Sequence, residues 1–401
     1  MSKTDQRFTQ DYWLKTLPIA TVQPLVFKTN FRKDESITSW LIRASFSQFC
    51  PPLSFTWYHW RPLRIWVYDV DKGFEHIDAQ IQKDIASLAE IDDKDVSQHT
   101  LAYFAKCIGA NINSKVAYPW TTPLSKRNRY SRIGNHYCPE CLENDDEAYL
   151  SILWRFSWVV CCTKHKIALQ SNCPHCDAPY QPQLIPIDIG KINYCYSCSE
   201  KMNALTAKLI PSEAVCEYQA TAISVYRAKQ GIVFNQMVDI ADWFESLLFL
   251  INMTKKAVNN IDHKFGKILL SLGVLHAIDE ITVPRSRLSF DHLSVKERLF
   301  LLESAYRLMQ IPLEQWMLVC EQHDATQNSF HWSKDTVIPK PFLPVYNQLP
   351  KSNKAKKKVD SNLNNPTPPN VVINHWARLK RKMEMQKAYE KHRESNQEKQ
   401  M

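Results

Sequence analysis

Apolar residues recur at helical spacing soon after the start of the chain. The first such segment follows Asp34-Glu35-Ser36, where early acidic residues suit the positive end of a helix and Ser36 or Asp34 is a suitable N-cap. Pro51-Pro52 ends the segment. The apolar face of the predicted helix consists of Ile37, Trp40, Leu41 and Ala44.

Residues 74–115 predict two or three further short helices. A second predicted helix in this stretch runs from Thr100 to Ile108, with Ser97 as its expected cap. We therefore expect a small N-terminal helical domain, which is compatible with helix-turn-helix topology. The preceding helix has an apolar face that consists of Ile77, Ile81, Ile85 and Leu88.

The helical pattern returns after Cys198. Three segments, Glu213–Gln230, Met237–Met253 and His263–Ile278, each carry an apolar stripe. Each is therefore predicted to be a helix that packs one face against a core.

Two later helices are expected to be joined closely. Ser294-Val-Lys-Glu297 is a capping box that starts the first of them. The pattern breaks at Gln310-Ile311, and Pro312 suits the first position of the next helix. Helices connected this tightly predict a helix-turn-helix unit.

The end of the chain changes in composition. Residues 338–370 contain seven prolines and a lysine cluster, which predicts a largely unfolded linker. Trp376–Arg393 predicts a highly charged helix with a weak apolar face. Residues 351–401 carry 13 Lys and Arg against 5 Asp and Glu, while the whole chain has a formal net charge of +9. This basic tail is either a solvated segment or a contact for nucleic-acid phosphates or an acidic partner.

Composition limits the functional classes. Hydrophobic residues form 44% of the 401 residues, which is enough for two or three packed domains. The chain has seven Gly and neither a GxGxxG nor a GxxxxGK[ST] motif, so nucleotide binding of those kinds is not expected. Met1–Gln10 is polar and the longest apolar runs are too short to span a bilayer, so we expect a cytoplasmic protein. A reducing compartment disfavours disulfides.

One segment, Phe55–Val67, mixes aromatic residues with arginine. Such a mixture can stack on nucleobases. Burial of the rings, with the arginine stems lying along apolar surface, is the favoured interpretation. The residues concerned are Trp57, Tyr58, Trp60, Arg61, Arg64 and Trp66.

Four pairs of cysteine or histidine, each separated by two residues, lie within 61 residues near the middle of the chain. Two ligands on one tight turn can reach the same ion, and eight such ligands match two tetrahedral zinc sites. The candidate metal ligands are Cys138, Cys141, Cys162, His165, Cys173, Cys176, Cys195 and Cys198.

We expect the pairs to combine in sequence order, the first with the second and the third with the fourth. Both gaps fit a zinc ribbon or a treble-clef-like knuckle, although an interleaved arrangement is chemically equivalent. His136, Cys161 and His175 are spare ligands, and Cys162 is preferred to Cys161 because it alone has the two-residue spacing to His165. The other cysteines are expected in the core, and they are Cys50, Cys107, Cys216 and Cys320.

Both sites would be filled by protein ligands. A catalytic zinc normally keeps an open position beside three protein ligands, whereas four are present here for each ion. The chain also lacks an HExxH helix and a DDE-like set of carboxylates. We therefore expect two structural Zn²⁺ ions, no catalytic residues and no enzyme activity.

Two sets of residues resemble the TniQ family. Asp34–Arg43 is similar to the family's N-terminal ES-x-x-SW-[LF]-x-R signature, and the cysteine region is similar to its zinc block. Together they cover roughly residues 24–200. The similar parts of the zinc block are Tyr137–Leu142, Leu153-Trp154-Arg155, Cys162-x-x-His165 with Leu169, and Cys173-Pro-x-Cys176.

This resemblance implies a mainly α fold, with helix-turn-helix-type domains around a central double zinc-finger module of zinc-ribbon type. The expected division is an N-terminal helical domain (1–118), the double zinc-finger module (119–205), a C-terminal helical domain (206–336), a disordered linker (337–374) and a basic helix or tail (375–401).

The resemblance also implies a role in transposition. Members of about this length resemble the subunit of CRISPR-associated transposons that docks as a homodimer on the RNA-guided Cascade complex and helps recruit the AAA+ regulator and the transposase. The longer, TnsD-like branch resembles sequence-specific DNA-binding target selectors. No membrane partner is expected.

One feature of the sequence bears on the choice between the two branches. Residues 311–333 contain no Lys or Arg and include Glu314, Glu321 and Asp324, so a helix here would repel a phosphate backbone. Its exposed face suits a protein surface, unless the helix is simply packed internally. An adaptor is therefore the leading expectation, and the basic tail leaves direct contact with DNA or RNA open.

Overall fold

The computed structural model describes a mainly helical protein, as the sequence predicts. The chain divides into one unit from Met1 to Pro350 and a second from Lys351 to Met401. The described residues are 22–75, 77–112, 117–124, 135–144, 148–202, 209–275, 288–332, 336–351, 369, 372–381 and 383–384.

The regular elements follow one another in a simple order. The N-terminal helices are α1 (Ile37–Ser47), α2 (Pro52–Trp60), α3 (Gln80–Ala89), α4 (Asp93–Gln98) and α5 (Leu101–Cys107). The cysteine region contains α6 (Pro139–Asn144). The elements after it are α7 (Glu213–Ala228), β1 (Gln230–Val233), β2 (Gln236–Asp239), α8 (Ile240–Asn259), α9 (Lys264–Ser271), α10 (Val295–Met309), α11 (Leu313–Gln322) and α12 (Leu343–Gln348).

Two predicted helix starts are confirmed by their caps. The Ser36 hydroxyl accepts a hydrogen bond from the Ser39 amide at 3.1 Å and caps α1. Ser294 and Glu297 form the reciprocal capping box of α10. Pro312 lies at the N-cap of α11, one position before the expected one. The helix-turn-helix character of α10 and α11 stays a prediction.

The cap predicted for α5 is wrong. Thr100 is the N-cap residue of α5, whereas Ser97 belongs to α4. The Ser97 hydroxyl donates to the Lys94 carbonyl at 2.6 Å, inside its own helix. A serine hydroxyl can form hydrogen bonds with several nearby backbone groups, so the presence of a serine does not by itself show which helix it caps.

A β-hairpin replaces the predicted start of the second C-terminal helix. The chain turns back at Phe234 and Asn235, which both have positive φ values of 49° and 60°. Gly231 is needed here, because a Cβ atom would lie 2.6 Å from Val225 and 2.7 Å from Trp243. The helix predicted from Met237 therefore begins at Ile240 instead.

Two hydrophobic cores hold the first unit together. The smaller one joins α1, α2 and α3 through Trp40, Phe55 and Ile85. The larger one runs from α5 to α12. Within it, the Trp158 ring centroid lies 5.9 Å from that of Phe104 and 5.3 Å from that of Phe244. The larger core therefore crosses the predicted limits at 118/119 and 205/206, and those domain boundaries stay a prediction.

The predicted linker does not begin at 337, because the segment up to 350 packs on the larger core. Phe342, Val345 and Leu349 are all buried. The Phe342 ring lies 5.3 Å from both Phe249 and Trp316. The prolines that suggested an unfolded segment stand at the starts of short helices, where their fixed φ is favourable. Residues 352–368 of the predicted linker lie outside the described residues.

Truncation provides a test of this boundary. A chain ending at Pro350 is expected to melt at the temperature of the full-length protein. A chain ending at Val337 loses the buried Phe342, at a cost of roughly 3–5 kcal/mol for a phenylalanine alone. Thermal unfolding followed by circular dichroism compares the two. Equal melting temperatures for both truncations would show that the 338–350 segment contributes nothing.

The second unit contains a helix at 372–381 whose side chains are exposed. Trp376 and Leu379 in this helix and Met383 after it are apolar residues that are exposed. Residues 385–393 of the predicted tail helix lie outside the described residues. Across the described ranges of both units, we find no helix with the length and apolar content needed to span a bilayer.

Candidate metal centres

The first cluster joins the start of α6 to a tight turn. Cys138 precedes Pro139, the first residue of α6, and Cys141 lies one turn further along that helix. His165 faces them, with its Nδ1 atom 3.4 Å from each of the two sulfurs. The fourth member, Cys162, has its sulfur 3.7 Å from that of Cys141.

The second cluster joins two turns of the same kind. The Sγ atoms of Cys173 and Cys198 lie 3.7 Å apart, and so do those of Cys176 and Cys195. In each cluster all four candidate ligand atoms lie within 4.8 Å of one another. Within the described residues, these are the two groups of His, Cys, Asp or Glu that are close enough to share an ion.

The distances fit a tetrahedral ion. Zinc–sulfur bonds of about 2.3 Å and zinc–nitrogen bonds of about 2.0 Å give tetrahedral edges of about 3.8 Å between sulfurs and about 3.5 Å between sulfur and nitrogen. The observed separations are 3.7 Å between sulfurs and 3.4–3.7 Å to the His165 Nδ1 atom. Each cluster can therefore hold one metal ion, and the thiolate-rich donor sets are those that zinc prefers.

Three of the four pairs share one backbone conformation. Lys166, Asp177 and Ser199 each stand four residues after the first ligand of a pair, and each has a φ between 52° and 60°. Each of their amides donates to the carbonyl of that first ligand, at 2.8–3.0 Å. This turn is stable without a glycine, and the sequence signal for it is only the repeated spacing.

The structure groups the eight candidates in sequence order, and the interleaved arrangement is not observed. The spare ligands lie outside both clusters. His136 Nε2 accepts from Arg298 Nη2 at 3.0 Å, and His175 Nε2 lies 3.2 Å from the Lys201 carbonyl. Cys161 is buried with its backbone paired to Ala168. The ligand roles of the eight residues stay a prediction.

A buried polar network includes His136, which lies two residues before Cys138 in the chain. Burial lowers the pKa of His136 well below its ordinary value, and the charges of Arg298 and Arg155 lower it further. The ring is therefore neutral and can accept the Arg298 hydrogen bond. Burial also lowers the pKa of Arg298 to about 10, which leaves it charged at neutral pH. Its second amino group donates to the Ser157 carbonyl at 2.5 Å.

The N-terminal signature residues lie in a network that reaches the cysteine region. Glu35 is buried, pairs with Arg43 at 2.8 Å and accepts from the Ser39 hydroxyl at 2.7 Å. That hydroxyl accepts in turn from the Leu150 amide at 2.9 Å. The Ser36 amide donates to the Leu150 carbonyl at 2.9 Å. The N-terminal signature thus meets the segment just before Leu153-Trp154-Arg155 at the β-bridge between Glu35 and Ser151, although more than a hundred residues separate them.

A known family matches the part of the chain that contains the signature and the first cysteine cluster. Residues 26–169 match the family model described as TniQ. This segment of the chain is similar to TniQ proteins. No curated protein matches the chain.

The matched TniQ segment ends just after the first cysteine cluster. It includes Cys138, Cys141, Cys162 and His165, while the second cluster lies beyond residue 169. The match of this segment supports a transposition-associated role in target selection. The match does not extend to α7–α12, whose contribution rests on the structure alone.

A buried arginine of the TniQ segment connects its two cores. Arg155 donates to Asp71 at 2.6 Å and to Asp69 at 2.7 Å. Burial opposes the charge of Arg155, but the two carboxylates outweigh that effect and raise its pKa above the ordinary value. Asp71 also accepts from the Thr38 amide at 2.7 Å, in the first turn of α1. The sequence placed Arg155 in the TniQ zinc block but could not show this partner.

Proposed function

We propose that this protein is a non-enzymatic adaptor for RNA-guided DNA integration. In this proposal it docks on a Cascade complex, as a homodimer, and recruits the AAA+ regulator and the transposase. The match of residues 26–169 to the TniQ family model supports the transposition role. The docking partners are inferred from the resemblance of the chain to the members of similar length.

The metal clusters support a non-enzymatic function. Each can supply four protein ligands to one ion, which we propose to be zinc. A tetrahedral ion held in that way has no open position for water or substrate. Zinc at these sites would stabilise the fold of the cysteine region and would not activate a nucleophile.

The observation that favours an adaptor over a DNA reader is the exposed face of α11. Trp316, Val319 and Cys320 are buried, so the opposite side of the helix is turned outward. That outer side carries Glu314, Leu318 and Glu321. Carboxylates around an exposed leucine would repel a phosphate backbone, whereas they suit a protein surface with basic residues around an apolar pocket.

A TnsD-like sequence-specific DNA binder is the alternative. The basic tail favours it, because residues 351–401 carry 13 Lys and Arg against 5 Asp and Glu. Contacts of that kind are mainly electrostatic and give little sequence selectivity by themselves. The tail therefore fits either function, whereas the exposed face of α11 supports the adaptor.

Purification with the neighbouring CRISPR proteins tests the proposal. The chain is expected to co-purify with guide-loaded Cascade and to show no sequence-selective duplex binding alone. Glu321→Lys reverses one charge on the exposed face of α11, and we expect it to reduce Cascade capture about tenfold, as for a lost charge pair at an interface. Asp188→Lys makes the same charge change on an exposed loop and should leave capture unchanged. Selective duplex binding by the isolated chain would reject the adaptor.

A further inference from the structure

Helix α2 has one buried and one exposed aromatic face. Trp60 is buried in the smaller core, as the sequence predicts, and Phe55 is buried beside it. Trp57 and Tyr58 are exposed to 41% and 71%, so the prediction of burial is wrong for these two rings. Both lie on the outward side of a short helix whose inward side already fills the core.

Two arginines follow these rings in the chain. Arg61 and Arg64 are exposed, and neither forms an ion pair within the described part of the structure. Asp84 accepts from the Trp60 indole at 2.9 Å, and Asp69 pairs with Arg155. Neither Asp84 nor Asp69 forms a salt bridge with Arg61 or Arg64, so both guanidinium groups are available to a ligand.

We propose that this aromatic–arginine surface, formed by Trp57, Tyr58, Arg61 and Arg64, binds single-stranded nucleic acid. Exposed rings offer flat faces on which unpaired bases stack, and every base has such a face. The adjacent guanidinium groups attract the phosphates and can stack as well. A duplex would not bind in this way, because its bases are already stacked on one another.

The apolar part of this surface continues onto a turn of the cysteine region. The turn Pro182–Leu184, which lies between Cys176 and Cys195, packs beside α2. Its Leu184 is exposed. A strand of several nucleotides would thus lie partly on α2 and partly on this turn. Such binding is separate from the proposed docking on Cascade and can be tested independently of it.

Fluorescence anisotropy with labelled oligonucleotides tests the proposal on the full-length chain. The probes are 20-nucleotide oligo-dT, oligo-rU and a duplex of the same length. We expect both single strands to bind more tightly than the duplex. The combined variant Trp57→Ala and Tyr58→Ala should weaken single-strand binding by about tenfold or more, since stacking on one aromatic residue contributes about that factor.

Two further variants separate this surface from the basic tail and from a general charge effect. Arg61→Gln with Arg64→Gln should weaken binding and reduce its dependence on salt. Trp376→Ala removes an exposed tryptophan of the tail and should change little. All substituted residues are exposed, and unchanged circular dichroism confirms that the variants fold.

Three outcomes would overturn the proposal. If the α2 variants bind single strands as tightly as the wild type does, the binding site lies in another part of the chain. Duplex binding tighter than single-strand binding would exclude stacking as the mode. Loss of Cascade capture by the α2 variants, without any oligonucleotide binding by the wild type, would identify the surface as a protein contact. A difference between oligo-dT and oligo-rU would show whether DNA or RNA is preferred.

Discussion

Cys138→Ser is expected to lose one metal ion and most of its soluble yield. A structural zinc site contributes on the order of 10 kcal/mol to folding. The whole free energy of unfolding of a domain is about 5–15 kcal/mol, so loss of one site is sufficient to unfold the protein. Cys173→Ser should have the same effect through the second cluster. Elemental analysis and circular dichroism measure the two consequences.

His175→Ala is the matched control for the cysteine variants. His175 lies inside the Cys173-Pro-His-Cys176 turn, but its ring is directed to the Lys201 carbonyl rather than to the cluster. The variant should keep two bound ions and remain soluble. A folded Cys138→Ser protein with two zinc ions would show that the ligand assignment is wrong, and so would a His175→Ala protein with only one.

Arg155→Met is expected to lower the free energy of unfolding by about 3–5 kcal/mol. The methionine keeps most of the volume of the side chain but leaves Asp71 buried without its cationic partner. Removal of one member of a buried ion pair carries a cost of this size because an uncompensated charge remains. Urea unfolding measures it, provided that both proteins unfold in one transition.

The partly exposed pair Arg307–Glu303 on α10 offers a comparison. Its atoms are 2.7 Å apart, close to the 2.6 Å of Arg155–Asp71, but the Arg307 side chain is 48% exposed. Arg307→Met should therefore change the stability by less than about 1 kcal/mol. A similar decrease in the free energy of unfolding for the two variants would contradict the view that burial makes the Arg155 ion pair important for stability.

Local features of this protein were predictable because the forces that produce them act over a few residues. Ser36 and Ser294 mark the starts of helices through hydrogen bonds that span one turn. The two-residue spacing of Cys138 and Cys141 brings both sulfurs near one point, whatever the rest of the fold. The same spacing recurs in the three other pairs, and the structure groups all four in sequence order.

The predictions made from the sequence were wrong where one residue type occurs in two structural settings. Phe234 occupies a turn with positive φ, where sequence patterns lead one to expect Gly or Asn, and its burial compensates for the unfavourable backbone. Prolines in the segment up to 350 suggested an unfolded linker, yet Phe342 and Val345 attach it to the core. In α2, Phe55 and Trp57 are equally apolar, but only Phe55 is turned toward the core.

The sequence by itself determined where the candidate metal ligands and most helices lie, and it identified the two segments similar to TniQ proteins. Only the tertiary structure decided that Glu35 and Ser39 meet Leu150 and that Arg155 reaches Asp71. The reason is that a cap or a chelating pair depends on neighbours a few residues away, whereas burial and ion pairing depend on which distant segment fills the remaining space. That choice is made by the packing of the whole chain.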